Sequence, residues 1–209
     1  MHRLSWDHNA FYQRALIRRL PRGCRRVLDV GCGAGVLAAR LGRRVERVDA
    51  IDLSPAMIEL AMRRVPGNVT CILGDVLEYP LPETGYDGIV SNTALHHVSL
   101  EAVLPVLAGA LRPGGVLAVV ALPRIGRGDW LVEPLALLGQ WVFGVVFYLL
   151  RVLTRRPWYA FNASHAAMPV VVDPPLTTRD VRRIGTDLLP GVRVRRLVFW
   201  RYLLVWHKP

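Results

Sequence analysis

Lysine is almost missing from this chain. Of its 27 basic residues only Lys208 is a lysine, and the remaining arginines, beside abundant Ala, Leu, Val and Gly, resemble the output of a GC-rich genome. Cysteine is scarce as well. Cys24, Cys32 and Cys71 form no C-x-x-C pair and no Cys/His cluster, so neither a disulfide framework nor a zinc or other metal site is expected, and a reducing cytoplasm fits. The N-terminus lacks an uninterrupted apolar stretch behind its charges, because Asp7, His8 and Arg14 break it up, so no signal peptide is expected. Acids are few: 16 against 27 bases leaves a net charge of +11. That balance would ordinarily raise nucleic acid or an anionic membrane as partner. Its distribution says otherwise for nucleic acid. Residues 1–47 and 179–209 are strongly basic, whereas 48–123 carry three Arg against eight acids. The basic ends read as solvated helix faces and strand edges. At 209 residues the chain should be one domain, 1–209, with an elaborated insertion.

What is present centres on Val27–Gly35, VLDVGCGAG. A short apolar run stops at Gly31-Cys32-Gly33-Ala34-Gly35, and Val36–Leu41 resumes with a helical period. This is strand, glycine turn, helix. Glycine suits such a turn because the backbone takes unusual torsions and a ligand can approach without meeting a Cβ. The helix start then offers unpaired N–H groups. Two enzyme classes share this arrangement. The dinucleotide fingerprint G-x-G-x-x-G/A needs a small residue at its last position, which here is Val36, so a nicotinamide oxidoreductase is disfavoured.

What remains, D-x-G-x-G-x-G from Asp29 to Gly35, resembles the first motif of the class I S-adenosylmethionine (SAM) methyltransferases. Later residues extend the resemblance. A strand over 47–51 ends at Asp52-Leu53, and Ser54-Pro55 begins a helix containing Met57; an acid at that strand tip is placed to hold a ribose diol, with Asp49 a second candidate within the strand. A third strand, 69–73, leads to Gly74-Asp75-Val76, where the family resemblance implies an adenine contact from the Asp75 carboxylate and the Val76 N–H. The plainer alternative is an Asp that caps the next turn. The run YD-x-I-V…LHHV, through Asn92 to Val98, and LRPGG before a fifth apolar strand, 116–122, are similar to further family motifs. The match spans about residues 24–122. The chain lacks the (N/D/S)-P-P-(Y/F) box of enzymes that methylate base amines and the Pro-Cys pair of cytosine C5 chemistry.

The resemblance implies a Rossmann-like, doubly wound, seven-stranded α/β sheet, mostly parallel, with a C-terminal antiparallel hairpin over 192–207. SAM is the implied cofactor and S-adenosylhomocysteine (SAH) its product. The implied cofactor-binding set is Tyr12, Asp29, Gly31, Cys32, Gly33, Asp52, Leu53, Met57, Asp75, Val76 and Asn92. His97, after strand four, is the candidate that orients or deprotonates the acceptor; otherwise the His96-His97 pair packs on the cofactor and bonds to backbone. Residues 1–22 are expected to form an amphipathic helix, Met1 to Leu20, over the cofactor, with the pattern Trp6-Asp7-His8-Asn9-x-x-Tyr12. Residues 123–176 are the variable insertion. Within it Pro134–Leu150 has no charge and only Gln140 clearly polar, between Trp130 and the Arg151, Arg155, Arg156, Trp158 cluster. It is shorter than most bilayer spans, and reads as an apolar lid over the acceptor pocket or as a helix lying in a membrane surface. Trp141 and Phe143 should then border the acceptor site or a self-association surface. The expected protein is cytoplasmic, with peripheral membrane contact and a homodimer as open alternatives. Its expected partner is a small hydrophobic or amphipathic acceptor. A lipid or quinone methyltransferase, and a SAM-binding module without catalysis, remain alternative readings.

Overall fold

The computed structural model describes residues 4–126, 132–160 and 174–209, with side chains from 134 onward in the second stretch. Trp130 and residues 161–173 of the insertion lie outside the described residues.

Apolar strands build the centre. β1 (Arg26–Val30), β2 (Arg47–Asp52), β3 (Val69–Leu73), β4 (Tyr86–Asn92), β5 (Leu111–Ala121), β6 (Arg193–Leu197) and β7 (Arg201–His207) form one sheet in the order β3-β2-β1-β4-β5-β7-β6. The first five run parallel, and β7 is antiparallel to both β5 and β6. Near-continuous apolar runs are what a sheet covered on both faces requires. Alternation divides them: Leu117, Val119 and Ala121 of β5 enter one core, and Val116, Ala118 and Val120 the other. α4 (Leu100–Ala110) and α6 (Thr178–Leu188) fill the first core. α1 (His8–Ile17), α2 (Val36–Leu41) and part of α5 (Val132–Thr154) close the second, to which α3 (Pro55–Met62) adds Ile58.

The caps follow the sequence. Ser54 accepts from Met57 N–H before α3, Ser99 from Ala102 N–H before α4, and Thr177 with Asp180 makes a reciprocal capping box before α6. One boundary is corrected. The helix expected from Met1 begins only at His8, because Asp7 adopts an extended cap conformation and accepts from Asn9 and Ala10 N–H at 2.8 and 3.1 Å. Trp6 therefore precedes the helix, buried among Phe11, Phe147 and Phe199. Leu111, expected to end the helix from Ser99, and Arg112–Gly115, expected to turn into the fifth strand, lie within β5, pairing irregularly with β4 before the regular register begins at Gly88↔Val116.

α5 corrects a second expectation. Its inner stripe, Ala136, Gly144 and Phe147, packs on the N-terminal segment, with Gly144 so close to the Leu4 carbonyl that a Cβ would stand 2.5 Å away. Trp6 Nε1 donates to the Gln140 carbonyl, and Arg151 donates to the Phe147 and Ser5 carbonyls. The outer face is bare and apolar: Leu135, Leu138, Trp141, Val142, Val146, Leu149, Val152 and Leu153 are exposed, Leu153 by 78%.

Candidate cofactor and acceptor site

β1 and β4 are sequence-distant neighbours, so the helices leaving their carboxyl ends turn to opposite faces and a crevice opens between them. A cavity of about 490 Å³ occupies it, walled by the glycine turn, the ends of β2, β3 and β4, the start of α1 and Arg201. Gly31 and Gly33 have φ of 68° and 52°, and Gly35 starts α2 at φ 73°. At Gly31 space is the second constraint: a Cβ would collide with that of Ala94. Thr93, with no such freedom, is held at φ 67° beside the cavity, where its N–H donates to Val120 and its hydroxyl to Asn9 Oδ1.

The acids take distinct positions. Asp52 Oδ2 accepts from Gly33 N–H at 2.8 Å and Oδ1 from Ser54 N–H at 2.9 Å, which fixes the carboxylate at the rim and leaves each oxygen a further lone pair. Asp75 Oδ1 caps Leu77 N–H at 2.9 Å, so the capping role exists alongside a second oxygen that no described residue engages. Asp49 is removed from consideration, since its carboxylate is bound by Arg26 at 2.7 Å and by the Tyr86 hydroxyl at 2.8 Å, and it does not line the cavity. Asp29 is fully buried at the cavity wall. Desolvation, with the Asp52 charge adding to it and a backbone hydrogen bond from Ala38 opposing it, pushes its carboxyl up to about 7.

Buried polar atoms without partners gather here. Gln13 Oε1, Asp29 Oδ2 and Asn92 Oδ1 are acceptors with no donor, all on cavity-lining residues. The set is what a cationic ligand group would complete. Farther along, Ala94, Leu95, Val98 and Leu122 give an apolar wall interrupted by His96 and His97, whose rings stand 4.1 Å apart. Burial, helped by His97 and Arg201, pulls His96 down to about 3, and burial lowers His97 less.

Residues 27–115 match the family model described as a methyltransferase domain. An uncharacterised methyltransferase of Mycobacterium bovis is 35% identical over 209 residues, which is 98% of each chain. The chain belongs to the class I SAM-dependent methyltransferases. A ubiquinone biosynthesis O-methyltransferase of Xylella fastidiosa is 36% identical over 115 residues, 51% of this chain and 46% of that one. Among solved structures, a SAM-dependent methyltransferase from Aquifex aeolicus superposes with a TM-score of 0.61 at 20% identity, covering 99% of this chain and 93% of that one.

In this methyltransferase Asp29, Gly31, Cys32, Gly33, Asp52, Leu53, Met57, Asp75, Val76, Asn92 and His97 all line the one cavity. Tyr12 does not. Its hydroxyl donates to the Val198 carbonyl at 2.5 Å, and its ring packs edge-on against Phe11, so it ties α1 to the terminal hairpin. No described residue of α5 lines the cavity either: Phe143 sits against Trp6 and Phe11, and Trp141 faces outward. Neither His96 nor His97 makes a side-chain hydrogen bond to backbone among the described residues, so that part of the packing alternative is not found. Gln13 and Arg201 join the site without belonging to any motif of the sequence. Gln13 lies one helical turn beyond Asn9. Arg201 carried a faint signal, a charge opening an apolar strand.

Proposed function

We propose that this methyltransferase transfers the SAM methyl group to a small amphipathic acceptor at the Ala94–Val98 and Leu122 end of the cavity. The observation that carries the reading is the chemical division of that cavity: orphaned acceptors and fixed acids along one length, and an apolar wall with two imidazoles along the other. SAM supplies an electrophilic sulfonium methyl. Asp52 would hold the ribose, Asp75 and Val76 the adenine, Leu53 and Met57 its apolar surround, and Asp29, Gln13 and Asn92 the methionyl ammonium. Cys32, a buried thiol whose Sγ lies 3.6 Å from the Gly33 carbonyl, would pack beneath it. Alignment of the acceptor and exclusion of water can supply about 7–11 kcal/mol of barrier lowering without side-chain chemistry. His97, kept neutral by the lowering of its pKa, would orient the acceptor or take its proton.

A second reading, of work at a membrane surface, is favoured by α5. Among the described residues this is the helix long and apolar enough to span a bilayer, yet its inner stripe is docked on protein and holds Gln140 and Arg151 in bonds to the N-terminal segment. Such a helix would lie in the surface plane with Leu149 and Leu153 inserted and Arg155 and Arg156 at the headgroups. The relative named for ubiquinone biosynthesis supports an acceptor of that polarity. Co-sedimentation with phosphatidylglycerol and phosphatidylcholine vesicles tests it. The protein should pellet with the anionic vesicles, and Leu149→Glu with Leu153→Glu should release it while SAH affinity stays unchanged. Failure to pellet with either vesicle would remove the membrane reading and leave the methyl-transfer reading standing.

A further inference from the structure

Arg201 opens β7 at the sheet's central crevice, under α1, and lines the cavity with only 8% of its surface exposed. A guanidinium so buried ordinarily has a carboxylate beside it, because taking the charge out of water is costly unless it is paired. Among the described residues this one has no ion pair. Nη1 donates to the Phe199 and Trp200 carbonyls at 3.1 and 3.2 Å, and Nη2 to Asn9 Oδ1 at 3.0 Å. Nε–H meets no acceptor among them. Nε–H lies on the edge of the planar group that, together with an Nη2 hydrogen, can pair with both oxygens of a carboxylate or phosphate. Asp7, the acid whose charge acts on it, forms no ion pair with it and is already engaged as the α1 cap. Burial pulls the Arg201 guanidinium down to about 10, with Tyr12 and Asp7 only partly opposing it, so it is still charged at neutral pH.

Through Asn9, which also bonds Asn92 and Thr93 at the end of β4, this charge stands where the cofactor and acceptor lengths of the cavity meet. His96, close enough for the Arg201 charge to lower it further, has a buried Nδ1 with no partner and also lines the cavity. The orphaned atoms on Gln13, Asp29 and Asn92 are all acceptors, suited to a cation; Arg201 Nε is a donor, suited to an anion. One cavity thus carries two unmatched poles of opposite sign. We propose that Arg201 is a specificity residue that holds the anionic head, a carboxylate or phosphate, of an acceptor whose remaining surface is apolar. His96 Nδ1, in the tautomer that carries the proton, supplies a second donor to that head, and Ala94, Leu95, Val98 and Leu122 take the apolar part. The proposal rests on the amphipathic-acceptor reading and narrows it from any such molecule to amphipathic anions.

The test uses the full-length protein saturated with SAH and three probes of one chain length, decanoate, decyl phosphate and decanol, titrated below their micelle concentrations. Wild type should bind at least one of the anions about tenfold or more tighter than decanol, as expected for a charge-assisted bidentate contact. Arg201→Gln should abolish that preference and Arg201→Lys keep part of it, with SAH affinity changed by less than about threefold in either. Arg201 also anchors the turn before β7, but the wild-type comparison needs no variant to fold. Equal binding of the three probes to wild type would overturn the anionic subsite and leave the amphipathic reading intact. Binding of none of them would remove both. A large loss of SAH affinity in Arg201→Lys, with the anion preference retained, would overturn the assignment by placing Arg201 on the methionyl carboxylate.

Discussion

Asp29 is the residue where fold and chemistry meet most sharply. Burial raises its carboxyl from the ordinary carboxylate range to about 7, so between the two the folded protein holds a proton that the unfolded chain has released. A raised acid costs stability as pH rises: the ligand-free protein should lose, on the order of, a few kcal/mol from pH 4 to pH 7, and Asp29→Asn should flatten that slope in denaturant titrations. A cationic cofactor reverses the balance by favouring the carboxylate. SAM binding at pH 7 should therefore release a fraction of a proton, seen as a dependence of calorimetric enthalpy on buffer ionisation heat, absent at pH 9 and in Asp29→Asn. Equal enthalpies in all buffers at pH 7 would contradict this. His97 is tested separately. If it takes the acceptor proton, His97→Ala should lower kcat by roughly 10²-fold or more with SAH affinity unchanged. A loss of only a few-fold would leave it a packing role. The acids at 29, 52 and 75 were legible because Asp29 interrupts an apolar strand and Asp52 and Asp75 follow the ends of two others, where a charge has no packing reason to be. Arg201 was not, because its burial depends on α1 and the terminal hairpin meeting across 192 positions of sequence, from Asn9.

At the level of elements, periodicity located the strands β1 to β4, β6 and β7 within a few residues, because the sheet is buried on both faces and its apolar runs are long, while the starts of α1 and β5 were displaced by more. Two things escaped it. The turn between β6 and β7 places Phe199 and Trp200 at φ of 58° and 56°, where Gly or Asn would be usual. Such strain persists because Phe199 is buried against Trp6, His8 and Phe143 and because Arg201 bonds both carbonyls. No local pattern announces that. The docking of α5 was the other, since an apolar run says that a helix seeks cover but not which face finds it. Gly144 fixes the answer by its contact with Leu4. Gly144→Val should push α5 off the N-terminal segment and lower stability by about 1–3 kcal/mol, the usual result of overpacking. Because α5 does not line the cavity, SAH affinity should fall by much less. Unaltered thermal stability would refute the docking.

For the whole molecule, strand order and the reversed seventh strand matched the architecture implied by the first motif, and SAM dependence followed from it. The methyl acceptor did not, because the acceptor subsite proposed here draws on α1, the start of β7 and the turn after β4, segments that converge only in three dimensions. Charge is distributed to the same plan, with acids around the cofactor end and arginines at the chain's two ends. The central claim is that the apolar length of the cavity receives an amphipathic molecule and methylates it. The most direct measurement is transfer of label from methyl-labelled SAM to a panel of matched acceptors, offered with and without anionic vesicles, that differ only in chain length. Transfer should rise with chain length and be weak for short, highly charged metabolites. Preferential methylation of small charged metabolites, with chain length irrelevant, would contradict it.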